Sequence, residues 1–197
     1  SAYYNPDVDY TNGLLDVPHR VIIAPIAELP FGKGKMWGSS SKAADLILGG
    51  WQVSAAINLQ QGFPLSVQQS DNTRTFSGVQ RPNLVPGVDV LAPGDITDRI
   101  SANTSDNLYY NKAAFTAAPL NGFGNAPRTI GIYSPWRNNV DLSVSKQVKT
   151  GGATALNVRL EVLNMFNIVQ WAAPASSAFL NSSFGQITSQ ANNMRMI

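Results

Sequence analysis

Trp51-Gln52-Val53-Ser54-Ala55-Ala56-Ile57-Asn58-Leu59-Gln60 is the stretch that decides the fold class. Its odd positions are apolar, and its even positions are polar apart from Ala56. Period-two alternation describes an extended strand with one oily face and one polar face. The odd phase resumes at Phe63, Leu65 and Val67, so the spacing predicts a strand over 51–67. Strands of soluble proteins usually stop after about five or six residues. A strand that crosses a bilayer needs about 9–11, and this one is long enough.

Upstream, Val21, Ile23, Pro25, Ala27, Leu29 and Phe31 share one phase and Arg20 and Glu28 the other, which predicts a strand over 19–31. Pro25 donates no ladder hydrogen bond and so demands an edge, a bulge or a gap in pairing. Gly32-Lys33-Gly34-Lys35 reads as a turn, since it lacks the spacing and the closing Ser or Thr of a phosphate loop. In the connector over 39–50, Ala43, Ala44, Leu46, Ile47 and Leu48 suit a short helical turn. Downstream, Val140, Leu142, Val144 and Val148 alternate with Asp141, Ser143, Ser145 and Gln147, and then Leu156, Val158, Leu160 and Val162 with Asn157, Arg159 and Glu161. These predict strands over 140–148 and 154–166, turning at Lys149-Thr150-Gly151-Gly152, where glycine tolerates positive φ. Counting outward from that turn brings Asp141 near Arg159, a cross-strand pair worth about 0.2–1 kcal/mol. The fold class is therefore all-β, with about four to five long antiparallel amphipathic strands and no fixed internal repeat.

Composition narrows the setting. Charged residues make up 13% of the 197, against roughly 25% in ordinary soluble chains. Asn, Gln, Ser and Thr take their place, as in secreted adhesins or outer-membrane barrels. The net charge of +2 comes from scattered Lys and Arg with no basic stripe, which disfavours nucleic acid as a partner. Without cysteine there is no disulfide, thiolate metal site or cysteine nucleophile. No apolar run approaches the ~20 residues of a membrane-spanning helix. Ser1-Ala2-Tyr3-Tyr4 does not begin a signal peptide, so any such leader is expected to be cleaved or to lie outside this chain.

Segments 70–137 and 168–193 are Pro-, Gly- and Asn-rich and aperiodic, and read as long loops. Loops beyond about 15 residues are usually functional, and Tyr109, Tyr110, Trp136 and Arg137 are the expected ligand contacts among them. Trp37, Trp51, Tyr133, Trp136, Phe166 and Trp171 fall near predicted strand ends, where barrels carry aromatic girdles; ordinary packing is the alternative. The one histidine, His19, has no Gly-x-Ser-x-Gly elbow or second ligand beside it. The pairs Asp7 with Asp9 and Asp95 with Asp98 lie in Gly- and Pro-rich surroundings that suit solvated loop charges better than glycosidase chemistry or a calcium site. No catalytic residue, metal or cofactor is expected.

The ordered motifs carry a family likeness. Val17-Pro18-His19-Arg20, Glu28-Leu29-Pro30-Phe31-Gly32-Lys33-Gly34, Gly49-Gly50-Trp51-Gln52-Val53-Ser54 and Gln61-Gly62-Phe63-Pro64 resemble late barrel strands of TonB-dependent outer-membrane receptors. The likeness continues through Arg81-Pro82-Asn83, Asn111-Lys112-Ala113-Ala114-Phe115, Gly124-Asn125-Ala126-Pro127-Arg128, Asn139-Val140-Asp141-Leu142-Ser143, the run Arg159 to Asn167, and Phe184-Gly185-Gln186-Ile187-Thr188. It is nearest to the acidobacterial group that carries a carboxypeptidase-regulatory-like N-terminal domain. The resemblance implies a 22-stranded barrel that imports a scarce ligand, with a plug and a TonB-binding segment upstream. It further implies that this chain is a C-terminal fragment lacking the plug and the last strand, with TonB reached only through the missing parts. Gln52, Asn58, Asp141, Arg159 and Glu161 would then face the lumen, and Trp51, Val53, Ile57, Leu142, Val144, Leu160 and Val162 the outer-membrane lipid. An open edge in lipid leaves backbone groups unsatisfied, so the remaining barrel strands or other copies of the chain are expected partners. The alternative is a soluble or self-assembling β-rich adhesin or fibre subunit at the cell surface.

Overall fold

In a computed structural model the described residues are 6–38, 41–69, 80–100, 108–151 and 154–197. Parts of the predicted loop 70–137, the start of the 39–50 connector, the first residues of the chain and Gly152 of the predicted turn lie outside them. The strands are β1 (Arg20–Ile23), β2 (Ile26–Glu28), β3 (Trp51–Gln60), β4 (Asn83–Leu84), β5 (Phe115–Thr116), β6 (Arg137–Gly151) and β7 (Thr154–Val162), with short helices α1 (Lys42–Leu48) and α2 (Ile96–Ile100). No helix among the described residues is long and apolar enough to cross a membrane.

The chain divides into two compact units. One holds Arg20–Gln60, Asn138–Val169 and Asn192–Ile197, and is built on a sheet in the order β1-β3-β6-β7 with β2 also on β3. The predicted strand 19–31 is two strands in one register. Val21 opposes Leu59, Ile23 opposes Ile57 and Ala27 opposes Val53, all antiparallel. Pro25 interrupts the ladder without shifting it, and its carbonyl accepts from Ala55 N at 3.1 Å. A gap in pairing is therefore what accommodates the proline.

β6 and β7 form a long antiparallel hairpin in which Leu142 opposes Val162, Val144 opposes Leu160 and Val148 opposes Leu156. This register corrects two expectations. The hairpin turns after Gly151, beyond the predicted turn centre, with an irregularity between Lys149 and Gly151. Arg159 consequently opposes Ser145 rather than approaching Asp141. Strand boundaries move as well, since β6 starts at Arg137 and β7 ends at Val162. Past that end, Leu163 exchanges backbone hydrogen bonds with Met196 at 2.9 and 3.2 Å.

The other unit comprises Ser1–His19, Gln61–Arg137 and Gln170–Ala191. Here the strand predicted to reach residue 67 has already stopped at Gln60. Gly62 sits where a Cβ would come within 2.1 Å of the Ser134 carbonyl, and Pro64 has no N–H for a ladder. Leu65 and Val67 are instead buried in a core with Tyr110, Phe115, Phe184 and Ile187. The Phe184 ring lies 4.9 Å from Tyr110 and 5.5 Å from Phe115, the latter edge to face, an arrangement favoured by the ring quadrupoles. The aperiodic segments read as loops thus fold around an aromatic core of their own.

Candidate functional site, a sheet with two faces

Across a strand pair, directly opposed residues share a face. In the β1/β2 and β3 pairs, Val21, Ile23, Ala27, Val53, Ile57 and Leu59 fall on one face. Arg20, Glu28, Gln52, Ser54, Asn58 and Gln60 fall on the other, together with Ile22 and Ile26. In the hairpin, Leu142, Val144, Val148, Leu156, Leu160 and Val162 share one face, and Ser143, Ser145, Gln147, Asn157, Arg159 and Glu161 the opposite one.

The two halves are tied together at the start of β3. The Lys146 ammonium lies 4.7 Å from the centroid of the Trp51 ring, and Gln147 N donates to the Gly50 carbonyl at 3.0 Å. Lys146 has the phase of Val144 and Val148, and Trp51 the phase of Val53 and Ile57. The apolar sets of both halves therefore lie on one continuous side of the sheet. Trp51, Val53, Ile57, Leu142, Val144, Leu160 and Val162 come together there, as do Gln52, Asn58, Arg159 and Glu161 on the opposite side.

Much of the apolar side is exposed. Val21, Ile23, Leu156, Val158 and Leu160 are each about half exposed, whereas every buried hydrophobic side chain among the described residues belongs to the loop-built unit. On the polar side, Arg159 pairs with Glu161 and donates from Nε to Ser143 Oγ at 2.9 Å. Exposed pairs of this kind contribute about 0–1 kcal/mol, so this one orients side chains more than it stabilises the fold.

Asp141 does something else. Its Oδ1 accepts from Asn164 N at 2.8 Å. Asn164 is buried with φ 50°, its Nδ2 donates to the carbonyls of Ile168 and Asn193, and its Oδ1 accepts from Ile168 N. Sequence reasoning treated Asp141 as a lumen-facing charge and gave Asn164 no role. The recurrence of Asn at 164 and 167, where β7 ends, was the available signal, because asparagine tolerates the left-handed region.

The expected loop contacts divide. Tyr109 and Tyr110 are 5% and 2% exposed, and both belong to the core. This corrects their reading as ligand contacts, since core packing occupies their ring faces. Burial pushes both phenols above the ordinary tyrosine value, and Tyr109 also donates its hydroxyl proton to the Tyr133 carbonyl. Trp136 remains exposed, and the Arg137 guanidinium lies 5.4 Å from the Phe63 ring centroid. The carboxylates have local partners: Asp9 pairs with Arg81 at 2.8 Å, and Asp98 Oδ2 accepts from Asp95 N at 2.9 Å at the start of α2. No cluster of metal-ligating side chains is found among the described residues.

The Outer membrane beta barrel domain matches residues 1–197. The chain belongs to that family. This outer-membrane β-barrel protein is thus a resident of the bacterial outer membrane, with its strands embedded in lipid. No curated protein and no solved structure gives a significant match.

The family gives meaning to the strand dimensions. β3 has 10 residues. At about 3.4 Å per residue and a tilt of about 45°, such a strand rises roughly 24 Å, close to the ~25 Å apolar band of outer-membrane barrels. Trp51 opens β3, while Trp136 precedes β6 and Phe166 follows β7, so aromatic residues stand near both ends of the strands. Tyr133 and Trp171 are partly buried in the loop-built unit instead.

Proposed function

We propose that this chain is the C-terminal barrel portion of a TonB-dependent receptor that takes up a scarce ligand, without catalysis. The apolar face built on Trp51, Val53, Ile57, Leu142, Val144, Leu160 and Val162 meets lipid, and the face with Gln52, Asn58, Arg159 and Glu161 lines the lumen. The observation that carries the assignment is the continuous, largely exposed apolar side of the sheet in a chain of an outer-membrane family. The receptor reading is supported by the ordered sequence motifs.

Barrel orientation follows from connection lengths. Barrels of this membrane make short turns on the periplasmic side and long loops on the extracellular side. β6 and β7 are joined through residues 152–153 and β2 and β3 through 29–50 at the same strand ends, whereas the much longer 61–136 connects β3 to β6 at the opposite ends. The long connection over 61–136 is therefore the extracellular one, where a ligand arrives.

The deciding experiment is uptake by cells carrying the full-length protein, with and without a functional TonB. Loss of ligand accumulation in both the receptor and the TonB knockout is expected. Accumulation that persists without TonB would overturn the receptor reading and leave the outer-membrane placement intact.

A further inference from the structure

The connector between β2 and β3 exposes a compact set of apolar side chains that the alternation of the strands does not explain. Leu46, Ile47 and Leu48 of α1 are 51–67% exposed, and Met36 and Trp37 of the preceding turn are more exposed than buried. The segment is nonetheless held firmly. Lys33 N donates to Asp45 Oδ1, and Ser41 caps the helix by accepting from Ala44 N. Gly32, at φ +106°, lies so close to Gly49 that a Cβ would approach its Cα to 2.7 Å.

Two attachments place α1 relative to the sheet. Lys146 Nζ donates to the carbonyls of Ile47 at 2.9 Å and Gly49 at 2.6 Å, and Trp51 Nε1 donates to the Ile47 carbonyl at 2.9 Å. Lys146 and Trp51 both belong to the apolar side. The C-terminal end of α1 is therefore fastened to the side of the sheet that faces away from the lumen, at the hairpin end.

These contacts solve a problem that exists only where water is scarce. The last carbonyls of a helix lack intrahelical partners, and an ammonium on an apolar strand phase lacks any. In water both would be solvated at no cost, whereas at a lipid boundary each is expensive unless it is paired. Here each satisfies the other, with the Trp51 face against the same ammonium. Exposed Lys33 and Lys42 line an open cleft beside Asp45 and Leu46, which supplies positive charge next to the apolar cluster.

We propose that α1 is an interfacial clip, in which Leu46, Ile47 and Leu48 insert among the phospholipids of the periplasmic leaflet while Lys33 and Lys42 meet their phosphates. Helices lying in this zone bury their apolar face about 5–10 Å into the headgroup and acyl boundary. The lipid is continuous with that covering the apolar sheet face, and α1 extends that contact beyond the strand ends. The inference rests on the lipid-facing assignment made above.

Its test keeps the two readings apart. A fluorophore is attached to a single introduced cysteine in the full-length protein, at Ile47→Cys, Ile57→Cys or Asn58→Cys, in liposomes of phosphatidylcholine brominated at shallow or deep acyl positions. The expected result is strong quenching at position 47 by shallow bromines, strong quenching at 57 by deep bromines, and little at 58. Quenching at 57 but not at 47 overturns the clip and leaves the sheet assignment standing. No quenching at 57 overturns the sheet assignment and the clip with it. In a Lys146→Met background the signal at 47 should fall while that at 57 persists; an unchanged signal at 47 would show that Lys146 does not hold the helix in the membrane.

Discussion

The Asp141 carboxylate accepts a hydrogen bond from the backbone N–H of Asn164 at 2.8 Å, joining the early part of β6 to the residue that ends the reach of β7. Asn164 then ties that corner to Ile168 and Asn193 through its own amide. Replacing Asn164 by Ala removes these bonds together with the acceptor for the Ile168 N–H, while the Ile168 carbonyl keeps the Asn192 amide. A loss of about 1 kcal/mol is expected from losing part-buried hydrogen bonds of this kind. A lower denaturant midpoint of the folded barrel in detergent would register it, and Asn164→Gly, which keeps the left-handed backbone, should recover only part.

The face assignment predicts an asymmetry between neighbours. Arginine on the lipid side near the bilayer midplane costs about 2–4 kcal/mol. Ile57→Arg should therefore block assembly into the outer membrane, while Asn58→Arg should not. Heat-modifiable migration of the outer-membrane fraction reads out both, and equal tolerance would refute the assignment.

Phe184 is fully buried among Tyr110, Phe115 and Phe179. Phe184→Ala should destabilise the loop-built unit by about 3–5 kcal/mol, the usual cost of emptying an aromatic site. Limited proteolysis should then cut within 80–136 while membrane assembly is retained.

The period of the strands made the sheet readable. Alternation over 51–60 and 154–162 located β3 and β7, and the same alternation sorted their faces, because a side chain in a strand can point only one way or the other. What it could not supply was any information on where pairing stops. Phe63, Leu65 and Val67 continue the odd phase, yet they serve a different core, since the backbone at Gly62 must pass against Ser134. The aromatic core was hidden for a related reason. Tyr109, Tyr110, Phe115 and Phe184 are brought together by tertiary packing with no regular element to impose a spacing, so turn-rich sequence around them read as loop. The hairpin turn lies later than Lys149-Thr150-Gly151-Gly152 predicts, because the pairing irregularity between Lys149 and Gly151 leaves no mark on the alternation.

Gly62→Ala tests that close approach. The added methyl would meet the Ser134 carbonyl at 2.1 Å, so backbone must shift, and overpacking of this kind costs about 1–3 kcal/mol. Thermal unfolding monitored in the loop-built unit should move to lower temperature.

Alkaline pH should loosen the same unit. Burial holds the Tyr109 and Tyr110 phenols above the ordinary value of 10.0, so the folded state keeps their protons more tightly than the unfolded one. The stability linked to these protons is complete below pH 10 and declines as pH rises above it. Tyrosinate absorbance from these residues should appear late and together with loss of near-ultraviolet dichroism. In Tyr110→Phe the alkaline decline should be shallower.

The register between β6 and β7 also bears on how such a protein can vary through evolution. Opposed residues alternate sides, so one residue gained or lost inside the regular ladder between Leu142 and Lys149, with no bulge to absorb it, would turn over the side chains beyond it and bring polar residues to the apolar side. Even-length changes there preserve the order, and odd ones invert it unless a bulge takes up the extra residue, as the irregularity between Lys149 and Gly151 does next to the turn. Length changes should accordingly accumulate in the connections that carry the aromatic core, while the hairpin obeys a parity rule that no substitution matrix would reveal.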